Sequence, residues 1–283
     1  MPAPEPIPAA APGLSVLAVR GSHAEQRPDR LAGEEPLQVL AAGPGMAPVE
    51  VAVTMRTPGD EAALALGFLL TEGLATAAAL ADATCTFGDP TRMSQPHDAV
   101  VVRLPVPFDA GAVAARTTVA TASCGICGKA SIDDVAQRCG VLPPGPRIAR
   151  SVILALPAAM RAAQAVFART GGLHAAARFL PDGTLRDVRE DVGRHNALDT
   201  LVGVAIRERA VPLHGEVLLV SGRVSFEIVQ KAAIAGFGLL AAVSAPTDLA
   251  VRTAERVGMT LVGFLRDDGF NVYTGAERID LDA

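Results

Sequence analysis

The chain has 283 residues, room for one large domain or two smaller ones, and half of them are apolar, ample material for a buried core. It holds 53 Ala and 27 Gly against nine Phe, one Tyr and no Trp, a poor supply of aromatic platforms for stacking nucleobases. The 25 basic and 30 acidic residues give a net charge of −5, with 11 basic against 15 acidic residues up to Arg150 and 14 against 15 after it, so no basic half exists to grip a nucleic acid backbone.

The N-terminal stretch 1–13 has five Pro, no positive charge and no apolar run of the kind a signal peptide needs, and it reads as a disordered tail. The longest apolar run, Ala232 to Val243, is 12 residues, short of the roughly 20 that span a bilayer. These features predict a soluble, cytoplasmic protein with no membrane partner. There the four cysteines, Cys85, Cys124, Cys127 and Cys139, stay reduced, and they read as ligands or reactive thiols rather than a disulfide framework.

From 14 to 145 the pattern predicts a smaller α/β domain. Val49 to Thr54 alternates apolar and polar residues as a strand does. After the turn Pro58-Gly59-Asp60 a helix puts Ala62, Leu66, Leu69 and Leu70 on one face, and Gly73 ends it. Ala99 to Leu104 is a second strand, stopped by Pro105 and Pro107. The run Val141 to Arg147, with three Pro and one Gly, marks the boundary to a second domain at 146–283.

That domain opens with a helix from about Pro157 to Gly171, followed by a hairpin, Ala175–Leu180 and Leu185–Glu190, about Pro181-Asp182-Gly183-Thr184. Helix Asn196–Arg209, strand Glu216–Val220, helix Phe226–Ala235, strand Leu239–Val243, helix Asp248–Val257 and strand Thr260–Leu265 then alternate. Single helices between strands over short loops predict βαβ crossovers and a largely parallel sheet.

The densest chemistry lies in Ser123-Cys124-Gly125-Ile126-Cys127-Gly128-Lys129. Two thiols at CxxC spacing in a glycine-flanked loop reach one ligand or each other. The capping box Ser131-Ile132-Asp133-Asp134 starts a helix directly after them. Positive potential there, with Lys129 close by, favours thiolate over a free thiol with a pKa of about 8.5 and suits a nucleophile that accepts and donates sulfur. The same residues also fit half of a zinc site completed by Cys139, Cys85 or His174, a redox dithiol, or a tight turn.

A second constellation forms where the strands end: Ser221-Gly222-Arg223-Val224-Ser225, Ser244-Ala245-Pro246-Thr247, and Phe264-Leu265-Arg266-Asp267-Asp268-Gly269. Ligands of open α/β sheets collect at these ends, where helix N-termini offer free N–H groups to anions, and Ser, Gly and Arg there suit a phosphate or pyrophosphate. Plain helix capping accounts for the hydroxyl residues equally well. A third segment, Arg189-Glu190-Asp191-Val192-Gly193-Arg194-His195-Asn196, makes Arg194 and His195 site candidates, and His174 lies among small residues that let backbone or ligand come close. The residues argue against zinc-dependent nucleobase deamination: His23-Ala24-Glu25 falls in a poorly structured N-terminal stretch about a hundred residues from the CxxC pair, and at His174 the residue two on is Ala176, which moves no proton.

Taken in order, these motifs resemble the FdhD family, the formate dehydrogenase accessory sulfurtransferases. The resemblance runs from about Val49 to the C-terminus through Ala65-Leu66-Gly67-Phe68, Thr71-Glu72-Gly73, Ser123-Cys124-Gly125-Ile126-Cys127-Gly128, Gly172-Leu173-His174-Ala175-Ala176, Glu190-Asp191-Val192-Gly193-Arg194-His195-Asn196-Ala197-Leu198-Asp199, Ser221-Gly222-Arg223-Val224-Ser225-Phe226-Glu227, Val243-Ser244-Ala245-Pro246-Thr247, and Val262-Gly263-Phe264 with Asn271-Val272-Tyr273-Thr274.

It implies a sulfurtransferase that takes persulfide sulfur from a cysteine desulfurase and passes it to the molybdenum of bis(molybdopterin guanine dinucleotide) for formate dehydrogenase. Cys124 carries the persulfide and Cys127 assists. Phe264, Leu265, Arg266, Asp267, Asp268 and Gly269 match the cofactor-binding stretch, with Ser221, Arg223 and His195 as further candidate contacts, and no resident metal is implied. The pair Asp267-Asp268 is more acidic than the family's usual residues at that point. The implied fold is a small α/β domain followed by a cytidine-deaminase-like three-layer α/β domain, in a homodimer.

Overall fold

A computed structural model describes residues 13–88, 98–117, 140–143, 145 and 147–282. Residues 1–12 of the Pro-rich tail, the CxxC motif with Lys129, Cys139 and the capping-box helix after Ser131 lie outside the described residues.

Strands β1 (Leu14–Arg20) and β2 (His23–Asp29) form an antiparallel hairpin about Gly21, whose φ of +59° suits glycine. His23-Ala24-Glu25 therefore sits in a regular strand, contrary to the expectation of an unstructured stretch, and all three residues are exposed. A four-stranded sheet follows in the order β4-β3-β6-β5, with β3 (Glu35–Ala42), β4 (Val49–Arg56), β5 (Thr84–Phe87) and β6 (Ala99–Arg103). Helix α1 (Glu61–Thr71) packs on it, with α2 (Ala77–Ala81) and α3 (Ala110–Thr117) after. Only Phe68 of α1 escapes full burial. The single buried face predicted from Ala62, Leu66, Leu69 and Leu70 is thus too narrow, because a second helix covers the side that the sheet leaves open.

The C-terminal half begins with β7 (Ile148–Ala149), α4 (Arg150–Ala163) and α5 (Phe167–Thr170). Helix α4 starts seven residues ahead of Pro157, which is an interior residue and not a first-turn one. Proline withholds one hydrogen bond there, but burial of Ile153, Leu156 and Met160 under the main sheet carries the helix through.

Next come β8 (His174–Phe179), β9 (Leu185–Asp191), α6 (Arg194–Arg207), β10 (Val217–Val220), α7 (Phe226–Ala235), β11 (Leu239–Ala242), α8 (Asp248–Val257), β12 (Thr260–Arg266), β13 (Gly269–Thr274) and β14 (Ile279–Asp280). The main sheet has the order β13-β12-β11-β10-β8-β9.

The α/β class holds, but this sheet is mixed rather than largely parallel. Pairs β10-β11 and β11-β12 are parallel, while β8-β9, β8-β10 and β12-β13 are antiparallel. Two short turns are the cause, since a tight turn leaves no room for the crossover that parallel pairing needs. One of them is Asp267-Asp268, so the strand expected to close the fold is the first arm of a hairpin.

Alternation along the strands divides the core in two. Leu218, Val220, Leu240 and Ala242 face α6, α7 and α8, and Val217, Leu219, Leu239 and Ala241 face α4. The first cluster runs without a break from Leu37 of β3 to Leu261 of β12, so the residues before and after the Pro-rich run share one core. Helices α1 and α6 cross at two glycines: a Cβ on Gly67 would lie 1.7 Å from the Asp199 carbonyl oxygen, and one on Gly203 would lie 1.8 Å from that of Ala63. Among the described residues no helix is long and apolar enough to cross a membrane.

Candidate functional site

The helix crossing carries a buried polar cluster. Lys231 Nζ of α7 donates to Asp199 Oδ2 of α6 (2.8 Å), to Glu72 Oε1 just after α1 (2.8 Å) and to Thr71 Oγ1 (2.9 Å). Thr71 in turn donates to Asp199 Oδ1 at 2.7 Å. Every member is at most 8% exposed, so the charges answer one another and not solvent. They lock three helices in one arrangement.

The segment Glu190 to Asn196 proves to be mainly a set of structural ties. Asp191 accepts from Gly193 N (2.7 Å), Thr57 N (3.0 Å) and Asn196 Nδ2 (3.1 Å), and Asn196 Nδ2 also donates to Met55 O at 2.7 Å. Burial pushes the Asp191 carboxyl up to about 6, against those hydrogen bonds. Glu190 accepts from Val166 N (2.9 Å) and Phe167 N (2.7 Å) and so anchors the first turn of α5. His195 is largely buried, with no hydrogen-bond partner for Nε2 among the described residues; burial, Arg194 and Lys231 push its pKa down to about 4, so the ring is neutral near neutrality. Arg194 Nε is likewise buried without a partner among the described residues.

A cleft of about 720 Å³ opens at the carboxyl ends of β10, β11 and β12. Its first wall is the corner between α4 and α5, with Pro157, Met160, Arg161, Gln164 and Phe167. Gly172, His174, Ser221, Val243, Leu265, Arg266 and Asp267 also line it. Ser221 is fixed by a reciprocal pair of bonds, its N–H donating to Ala175 O and its Oγ accepting from Ala175 N, both at 2.9 Å. Arg266 Nη1 donates to Val243 O and, at 3.0 Å, to Leu265 O; its other guanidinium nitrogens have no partner among the described residues. Burial and then Arg194 lower the pKa of His174, which again favours a neutral ring.

Of the predicted contacts, the cleft gathers Ser221, Leu265, Arg266 and Asp267, together with His174. Phe264, Asp268, Gly269, Arg223 and His195 are not among its lining residues. Phe264 is 44% exposed and holds φ at +51°, with its N–H donating to Ser244 O at 3.2 Å, and Arg223 is exposed. Thr247 caps α8, its hydroxyl accepting from Ala250 N at 3.3 Å, which is the plain capping role. Cys124 and Cys127 lie outside the described residues. Sequence reasoning missed Gln164, for which no local pattern signals a role. It also passed over Lys231, whose signal was available: a lysine inside an apolar helix of a chain with 23 Arg and one other Lys.

Comparison with known proteins fixes the family. The model of the FdhD/NarQ family matches residues 32–280. The chain belongs to the FdhD/NarQ family. A relative from Streptomyces coelicolor named sulfur carrier protein FdhD is 47% identical over 278 residues, covering 95% of each chain. Proteins of the same name from Mycobacterium tuberculosis (47% identical; 89% of this chain, 92% of that one) and Sulfurisphaera tokodaii (40%; 94% and 98%) are similar along nearly their whole length. The crystal structure of a candidate formate dehydrogenase accessory protein from Desulfotalea psychrophila superposes with a TM-score of 0.71 at 20% identity, covering 96% of this chain and all of that one. That likeness establishes the shared α/β fold.

Proposed function

We propose that this FdhD/NarQ protein is a sulfurtransferase in the maturation of formate dehydrogenase, carrying sulfur as a persulfide on Cys124. The observation that carries the reading is 47% identity along 95% of both chains to a protein named for sulfur carriage, together with the CxxC pair.

In the first step the Cys124 thiolate attacks the terminal sulfur of a persulfide on a cysteine desulfurase. A new S–S bond forms at Cys124, the donor's S–S bond breaks, and the donor leaves as a thiolate, so the exchange needs no outside oxidant or reductant. The acceptor, bound as a substrate, is the molybdenum of bis(molybdopterin guanine dinucleotide): the Cys127 thiolate attacks Cys124 Sγ, a Cys124–Cys127 disulfide forms as the persulfide S–S bond breaks, the outer sulfur leaves as sulfide to become the molybdenum ligand, and an external dithiol reduces the disulfide again. Arg161, Arg266, Ser221 and His174, all lining the cleft, supply cations and polar groups suited to the cofactor's pyrophosphates. Cytoplasmic location and a homodimer belong to the same reading and rest on the family resemblance.

Incubation with cysteine and a cysteine desulfurase, followed by mass spectrometry, is expected to show a one-sulfur adduct on Cys124. Cys124→Ala is expected to fold normally, to lose that adduct and to leave formate dehydrogenase inactive. Normal activation by this variant would overturn the mechanism.

A further inference from the structure

The hairpin of β1 and β2 is a two-stranded sheet of its own, and no described strand pairs with either of its outer edges. None of its residues is buried, and Leu14, Leu17 and Val19 of β1 are 50%, 60% and 64% exposed. A two-stranded hairpin by itself is marginal at best in water, and apolar side chains held out on it mark a contact surface.

Its two edges differ. Pairing runs from Leu14 with Asp29 to Arg20 with His23 and closes on the two-residue turn Gly21-Ser22. Backbone polar groups alternate in direction along such a ladder, and the pair beside a two-residue turn points inward. Ala24, Gln26 and Pro28 therefore face out on β2, where Pro28 has no N–H to offer and blunts the edge. On β1 the outward residues are Ser15, Leu17 and Val19, and Leu14 to Val19 holds neither proline nor charge. One edge is closed and the other is left open.

A second β1 fits the open edge. Antiparallel pairing about a two-fold axis at Leu17 sets Leu17 against the partner's Leu17, Ser15 against the partner's Val19 and Val16 against the partner's Ala18. The outward N–H and C=O groups of each strand then satisfy those of the other. Leu14 meets the partner's Arg20, which comes within two strand spacings, about 10 Å, of Asp29 on the same face. Opposite charges thus close both ends of the contact, and no like charges meet across it. The resulting ribbon, β2-β1-β1-β2, carries Pro28 on both outer edges, so assembly stops at two copies.

We propose that the free edge of β1 pairs with the same edge of a second copy. This rests on the homodimer of the preceding section and gives it a contact.

Sedimentation of the full chain and backbone amide exchange test it. Wild type is expected to sediment as a dimer. Exchange at Ser15, Leu17 and Val19 is expected to slow as protein concentration rises, while Ala24 and Gln26 stay fast. Leu17 meets itself on the axis, so Leu17→Lys and Leu17→Glu each set like charges together and are expected to weaken the dimer at least about tenfold. Mixed in equal amounts, the two variants set opposite charges together and are expected to recover it. Freely exchanging β1 amides in a wild-type dimer, wild-type affinity in both variants, or a mixture no tighter than either variant alone overturns the β1 contact and leaves the homodimer standing. A wild-type monomer overturns both, and the sulfur adduct on Cys124 still decides the transfer chemistry.

Discussion

Lys231 Nζ lies 2.8 Å from Asp199 Oδ2 at a point where α1, α6 and α7 meet away from water. Burial disfavours the ammonium, but Asp199 and Glu72 outweigh it, and the pKa of Lys231 stands above its ordinary value. Replacing Lys231 with Met leaves Asp199 buried without its cation. The expected loss is about 3–5 kcal/mol in urea unfolding, and adding Asp199→Asn recovers part of it. A loss below about 1 kcal/mol, as for a surface pair, contradicts this account.

At the α1–α6 crossing two rules oppose each other. Helix propensity favours Ala over Gly by about 1 kcal/mol. Packing forbids it, because a methyl on Gly67 or Gly203 would meet a backbone oxygen of the other helix, which cannot swing aside. Gly67→Ala and Gly203→Ala are each expected to destabilise by about 3 kcal/mol, by forcing the helices apart. Unfolding midpoints at or above wild type would show that the crossing has slack.

The titrations of Asp191 and His195 pull stability in opposite directions. Folding raises the Asp191 carboxyl from 3.8 to about 6, so the native state binds the extra proton and stability falls as pH rises through that window. Folding lowers His195 from 6.5 to about 4, so stability falls as pH drops through that window. Each is worth on the order of 3 kcal/mol, and between about pH 4 and 6 they nearly cancel. Urea unfolding across this range is expected to show a shallow slope for wild type. Asp191→Asn should lose stability on acidification and His195→Phe should gain it; equal slopes in all three proteins contradict the assignment.

Phe264 holds a left-handed backbone in the middle of β12 and is partly exposed to water. A non-glycine residue there stores about 1–3 kcal/mol of strain that its packing does not return. Phe264→Gly is expected to raise stability by about 1 kcal/mol, and Phe264→Val to lower it by more. If thermal melting places Phe264→Gly below wild type, the ring contributes packing that its exposure conceals.

The parts of the fold that were legible in the sequence are those set by local pattern. Phe226–Ala235 and Asp248–Val257 form the predicted helices residue for residue, because apolar spacing, caps and terminal glycines agree in each. Pro157 misled because burial of Ile153, Leu156 and Met160 overrides a local preference. The antiparallel arms of the main sheet depend on pairings such as Val220 with Ala176, which no window of sequence contains. The strand-end loops were legible in the sequence, and Ser221 and Arg266 from two of them line one cleft with His174 of β8. The place of Gln164 in the cleft lining was not, since it depends on how the corner between α4 and α5 folds back on the sheet.

The bonds from Glu190 to the amides of Val166 and Phe167 have one more consequence. A four-residue helix such as α5 has too few internal bonds to persist alone, so its placement is delegated to a carboxylate on a hairpin behind it. The shape of the cleft can therefore drift through a position that does not line it. A relative with a different residue at 190 would present a re-angled Phe167 and Arg161 while keeping every lining side chain, and so would an engineered cleft tuned from that remote lever.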